Sequence, residues 1–180
     1  PKGGLSSIGS ELYVAKPRWK TMMDTISTVR TQASQVWMNV PTQDLGFRAG
    51  FTVSTCGAEP FDTWADMTEV LPYEAWGQLP TSTRPQSLHY FCSPMPEGAL
   101  PPDPTVLVKQ RMKDQLENKM LPLWPIAGSG TSFRWDFLVD PAAGAGAARL
   151  DAQYFRANVD GSERYVLSFD GEIDARLHAD

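Results

Sequence analysis

Two cysteines and two histidines are few reactive side chains for a chain of 180 residues. Cys56 and Cys92 cannot form the disulfide framework that staples small secreted domains. They read as buried thiols in a reducing, cytoplasmic setting, with a pairing between them left open. His89-x-x-Cys92 offers two metal ligands. Neither His178, Cys56 nor the scattered acids add a third and fourth at a recognised spacing, so no metal site is expected. A G-x-S-x-G elbow and a G-K-[ST] phosphate loop are both missing, which removes the usual signs of acyl transfer and of nucleoside triphosphate chemistry. Positive charge is in short supply: 16 Lys and Arg against 21 Asp and Glu leave a net charge of −5. Nucleic-acid binding needs the opposite balance and is not expected. No apolar run approaches the ~20 residues that cross a bilayer, and the opening PKGGLSSIGSEL has no apolar core like that of a secretory signal.

With 42% hydrophobic residues the chain can build a core, and its length fits a single domain over 1–180. Leu5 to Ala15 is weakly helical until Pro17 interrupts it. Trp19, Met22, Met23 and Ile26 then recur at helical spacing, a stripe suited to packing. Thr28 to Met38 is rich in β-branched residues and reads as a strand. Phe47 to Thr55 reads as the next, and the short loop between them suggests a hairpin. Glu59 to Met67 reads as an irregular loop holding two large aromatics, either facing a substrate or anchoring the loop to the core. Leu71 to Pro85 is a proline-rich surface connection. Ser87 to Cys92 and Phe133 to Val139 are further strand candidates. Between them, Asp103 and Pro104 look like the cap and first position of a helix running to about Leu121, with Val108, Met112, Leu116 and Met120 stepping by four along one face. The expected fold is α+β: a mixed or largely antiparallel sheet of five to six strands, with one well-defined helix and several short ones packed on it.

The densest stretch is DAQYFRANVDGSERYVLSFDG, Asp151 to Gly171. It reads as an extended run, a turn at Asp160-Gly161-Ser162 and a second extended run. In the second run Tyr165, Leu167 and Phe169 share one face, which predicts that this face is buried. A last extended piece is expected from Asp174 to His178.

This stretch, together with TVRTQASQVWM (Thr28 to Met38) and AEPFDTWADM (Ala58 to Met67), resembles FAD-dependent oxidoreductases of the flavin-containing amine oxidase and phytoene desaturase-like group. The three segments occur in the expected order over most of the chain. The resemblance places the chain in the central, substrate-binding region that caps the flavin. It implies a small-molecule substrate, hydride removal from a C–N or C–C unit, and FAD as the acceptor. It also implies a flanking or partner FAD-binding domain, because the dinucleotide fingerprint of the group lies elsewhere. The nearest match to G-x-G-x-x-G here is Gly144-x-Gly146-x-x-Arg149, whose last position would obstruct helix-to-strand packing, so the segment reads as a flexible loop. Where many amine oxidases of the group carry a strand lysine, Val29 to Met38 offers Gln32 and Gln35, which points to the desaturase-like or dehydrogenase branch. The candidate cavity-lining residues are Gln32 as a hydrogen-bonding group, Trp37 and Trp64 as aromatic walls, Tyr154, and Arg156 as a fork for an anion. No catalytic acid or base is assigned, since a flavin carries out the hydride chemistry itself. The alternative is a free-standing, non-catalytic ligand-binding or protein-interaction domain.

Overall fold

The computed structural model describes residues 2–47, 53–55, 58–129 and 132–177. Its α-helices are α1 (Lys2–Ile8), α2 (Ser10–Ala15), α3 (Pro17–Thr25), α4 (Pro104–Asp114) and α5 (Ile173–Leu177). Its strands are β1 (Thr28–Val29), β2 (Thr31–Met38), β3 (Val53–Thr55), β4 (Thr63–Asp66), β5 (Ser87–Pro94), β6 (Gly128–Ser129), β7 (Ser132–Phe133), β8 (Tyr154–Asn158) and β9 (Tyr165–Val166). The architecture is α+β, with antiparallel strand pairing and packed helices. The chain divides into two compact units, one of Pro1–Gln32, Pro94–Leu100 and Ala157–Asp180, the other of Ala33–Ser93 and Pro101–Arg156.

The larger unit is built on a five-stranded sheet of order β3-β4-β5-β2-β8. β4 runs antiparallel to both its neighbours, with Asp66 directly opposite His89 and Trp64 opposite Phe91 on β5. Strand alternation sends every second side chain of β2 inward, and Gln32, Ser34, Val36 and Met38 are all wholly buried. α4 starts as its sequence predicts. The Asp103 carboxylate accepts the Thr105 N–H at 2.9 Å, which satisfies one of the donors a helix start leaves open, and Pro104 fits the first turn.

A stripe stepping by four overshoots each helical turn by about 40° and would drift off the buried side. After α4 the helix widens into a π-helical turn, Gln115–Lys119, closed by Met120 N–H onto the Gln115 carbonyl at 3.0 Å, and the wider turn offsets the overshoot between Leu116 and Met120. Val108, Met112, Leu116 and Met120 are all fully buried. Each such side chain contributes roughly 1.5–3 kcal/mol of apolar burial. The wider turn also turns Gln115 inward, where its amide donates to the Phe61 carbonyl at 3.1 Å.

The smaller unit holds α1 packed on α2, α2 on α3 and α3 on α5, together with the β1–β9 pair. Pro17 interrupts the helical run by opening α3, after Lys16 turns extended. Met23 and Ile26 are the buried members of the α3 stripe. Glu172 ties the end of the unit to its start: its carboxylate accepts the Ser27 N–H at 2.8 Å and the Ser27 hydroxyl at 2.5 Å. Those bonds hold the Glu172 carboxyl below its ordinary range. Gly3 approaches the chain closely enough that a Cβ there would lie 2.4 Å from the Gly161 carbonyl oxygen.

Several sequence expectations are corrected. β2 and β3 do not form a hairpin, since β4 and β5 stand between them. The segment expected as an irregular loop contains β4, whose Trp64 is a core residue. Phe133 to Val139 is not one strand: β7 stops at Phe133, a 3-10 turn spans Trp135–Phe137, and Leu138 makes a single bridge to Met38. The turn after Asp160 forms, with the Glu163 and Arg164 N–H groups on its carbonyl at 2.9 and 3.1 Å. The strands around it do not pair with each other, however: β8 joins the large sheet and β9 joins β1. Tyr165 and Phe169 are each 53% exposed and Leu167 43% exposed, so the predicted buried face is open. Asp174 lies in α5 and not in an extended piece. Residues 48–52 of the strand expected over Phe47 to Thr55 lie outside the described residues, as do Cys56 and His178.

Candidate functional site

The proline-rich connection between β4 and β5 breaks into three 3-10 turns, Thr68–Tyr73, Ala75–Gln78 and Thr81–Thr83. Glu74 sits extended between the first two. Its Oε2 accepts two indole N–H groups, from Trp37 of β2 at 2.8 Å and from Trp76 at 2.5 Å. The two rings stand 5.8 Å apart at 58°. With Ala75, Gln78 and Leu79 they line an open groove of about 490 Å³, within the size range of small-molecule sites. Arg84 secures the loop from below by donating to the Leu79 and Gly77 carbonyls at 2.8 and 2.7 Å.

A second cluster is internal. His89 is wholly buried among Trp64, Trp124 and Ser87. An indole N–H can only donate, so the Trp64 contact at 3.2 Å makes Nδ1 of His89 an acceptor and places the imidazole proton on Nε2. That proton points to Ser87 Oγ at 3.0 Å, and the serine hydroxyl donates in turn to the Val40 carbonyl at 2.7 Å. The chain of bonds is complete with a neutral ring and broken by a charged one. Burial accordingly pushes the imidazole down to about 4, against the weaker upward pull of Asp66. Burial would raise Asp66 itself, but bonds from the Thr68 hydroxyl at 2.5 Å and N–H at 3.1 Å outweigh it and hold the carboxyl below its usual range. A histidine locked in this way serves the core. Cys92 is a free, half-buried thiol that burial raises above its ordinary range. Among the described residues no three His, Cys, Asp or Glu gather as a metal set.

The glycine-containing loop does not fit a dinucleotide. Its N–H groups at Ala142 and Gly144 are already taken by the Asp140 carboxylate, at 2.9 and 2.8 Å, where a pyrophosphate would need them. A 3-10 helix, Gly146–Ala152, follows in place of an α-helix, and Arg149 donates back to the Gly144 and Leu138 carbonyls at 2.9 and 2.8 Å. The loop expected to be flexible is thus pinned at both ends, and FAD has no cradle in it.

No protein-family model matches the chain, and neither the curated proteins nor the solved structures contain a match.

The five residues expected to line a cavity are placed differently from one another. Trp37 lines the groove at Glu74. Trp64 is wholly buried, its ring edge-on to Trp124 at 5.5 Å and to Phe47 at 4.8 Å. Gln32 is also wholly buried, while Tyr154 and Arg156 project from alternate positions of β8 and are exposed. Glu74 and Trp76 escaped the sequence reading. Their only signal there was a tryptophan two residues from an acid inside a proline-rich surface connection, where a large aromatic has no core to fill. No helix among the described residues is long and apolar enough to cross a membrane.

Proposed function

We propose that these residues are the substrate-binding portion of an FAD-dependent oxidoreductase of the flavin amine oxidase and phytoene desaturase-like group. In this reading FAD is held mainly by a flanking or partner domain and accepts hydride from a C–N or C–C unit of a small molecule. The observation that carries the reading is an uncovered apolar run. Tyr165, Val166, Leu167, Phe169 and Ile173 are 53%, 39%, 43%, 53% and 57% exposed. So many exposed large apolar side chains within nine residues are the kind of surface an interaction covers. Most of it lies within the segment that carries the family resemblance. The pinned glycine loop agrees, since the cofactor then has to be held by other residues. A free-standing ligand-binding domain is the second reading, favoured by the groove at Trp37, Glu74 and Trp76, whose walls are complete within these residues.

Purified alone, the 180 residues are expected to retain no flavin and to show no turnover when FAD and candidate amines or alkenes are added. Flavin-dependent turnover by these residues alone would contradict the proposal.

A further inference from the structure

Glu74 does more than hold two tryptophans in place. Both indole N–H groups end on one carboxylate oxygen, so the tryptophans have no donor left for a ligand carbonyl. That disfavours a proline-rich peptide, which such grooves read through its carbonyls. The other oxygen, Oε1, accepts no hydrogen bond among the described residues, and no Lys or Arg pairs with the carboxylate there. Arg84, the cation of the same loop, is turned onto backbone carbonyls. The groove therefore carries an unneutralised negative charge beside two half-buried aromatic rings, and it repels an anion. An indole that donates its N–H to an anion also gains electron density, which makes its face more attractive to positive charge. Leu79 and Ala75 add apolar wall, and Gln78 adds an uncharged amide that leaves the Glu74 charge unbalanced.

We infer that the Trp37–Glu74–Trp76 groove binds a small organic cation, an N-alkylated ammonium with a short apolar body. Its methyl groups lie against the indole faces, where a quaternary nitrogen needs no hydrogen-bond acceptor, and its charge is balanced by Glu74. The site belongs to the sheet unit and is independent of the flavin reading.

The test is calorimetry with choline and with its uncharged carbon isostere, dimethylbutanol, read alongside the indole N–H resonances of Trp37 and Trp76. Choline is expected to bind at least about tenfold more tightly than the isostere and to shift both resonances. Glu74→Gln keeps an acceptor for the indoles but removes the charge, and it is expected to weaken choline binding about tenfold. Trp76→Leu keeps apolar volume without a π-face and is expected to lose most of the preference for choline. The inference is overturned if the isostere, a sugar or a proline-rich peptide binds as well as choline. It is also overturned if choline leaves the two indoles unshifted, or if either variant keeps the full preference. Failure here leaves the flavin proposal standing, since that is judged by flavin content and turnover.

Discussion

Acidification from pH 6.5 to about 4 is expected to cost the sheet unit on the order of 3 kcal/mol of stability, through His89. In the unfolded chain this imidazole titrates near 6.5, whereas in the folded protein burial holds it neutral down to about 4. Below pH 6.5 the unfolded state takes up a proton that the folded state refuses. Stability is therefore fully present above 6.5, declines as the pH falls, and levels off once the folded state also protonates. The cause is local: a charged ring has donors at both nitrogens, and its Nδ1–H would face the Trp64 N–H at 3.2 Å. Urea unfolding followed by tryptophan fluorescence across this range checks the window. His89→Gln should remove the slope. Asp66 adds a separate decline at lower pH: its carboxyl is held below its ordinary value, so its contribution falls away as the pH drops below that ordinary value and is gone once the depressed value is passed. A wild-type midpoint that stays flat between pH 6.5 and 4 would show that His89 is not buried as described.

The second large effect is expected at Trp64, the residue on which the core of the sheet converges. Its ring meets Trp124, Phe47 and His89, and it is fully buried. Trp64→Ala is expected to cost about 3–5 kcal/mol, from lost transfer free energy and the cavity left between well-packed aromatics. That is a large share of the roughly 5–15 kcal/mol a domain of this kind possesses, so the variant should be largely unfolded near its former midpoint. Trp64→Phe keeps most of the ring contact and leaves His89 Nδ1 without its donor. It should cost about 1–3 kcal/mol, the penalty of one unsatisfied buried acceptor. Circular dichroism during urea unfolding measures both. A loss below about 1 kcal/mol for the alanine variant would contradict the placement of Trp64 at the centre of the core.

The local elements were more legible in the sequence than their partners. The helix after Asp103 announced itself by a capping acid, a proline at its first position and four apolar residues in one stripe. All of these are short-range signals. The π-helical turn that follows it left no such mark. β2 and β5 were visible as runs of strand-forming residues, but strand order was not. The hairpin expected of β2 and β3 rested on nearness in sequence, whereas β3 pairs with β4 through Val53↔Ala65 and its neighbours. Tyr165 to Phe169 misled in two ways: only Tyr165 and Val166 pair as a strand, and alternation in sequence does not state whether anything covers a face. The groove was half legible. Trp37 stood out, but its partners Glu74 and Trp76 join it across 37 residues of chain, through a hydrogen bond that no local pattern encodes. Trp64 stood out for its size, and size is also what fills a core. His89 carried no legible role in the sequence; its two neighbours, an indole donor and a serine acceptor, hold it as a neutral group in the core.

The central claim is that these residues cap a flavin held by another part of the same protein or by a partner. The visible absorption spectrum of the protein purified from its own cells, with an intact mass on the same sample, tests it most directly. The account predicts a flavin spectrum carried by a polypeptide, or a complex, heavier than the 19.9 kDa of these residues. A colourless, folded protein whose mass is accounted for by these 180 residues alone would contradict it.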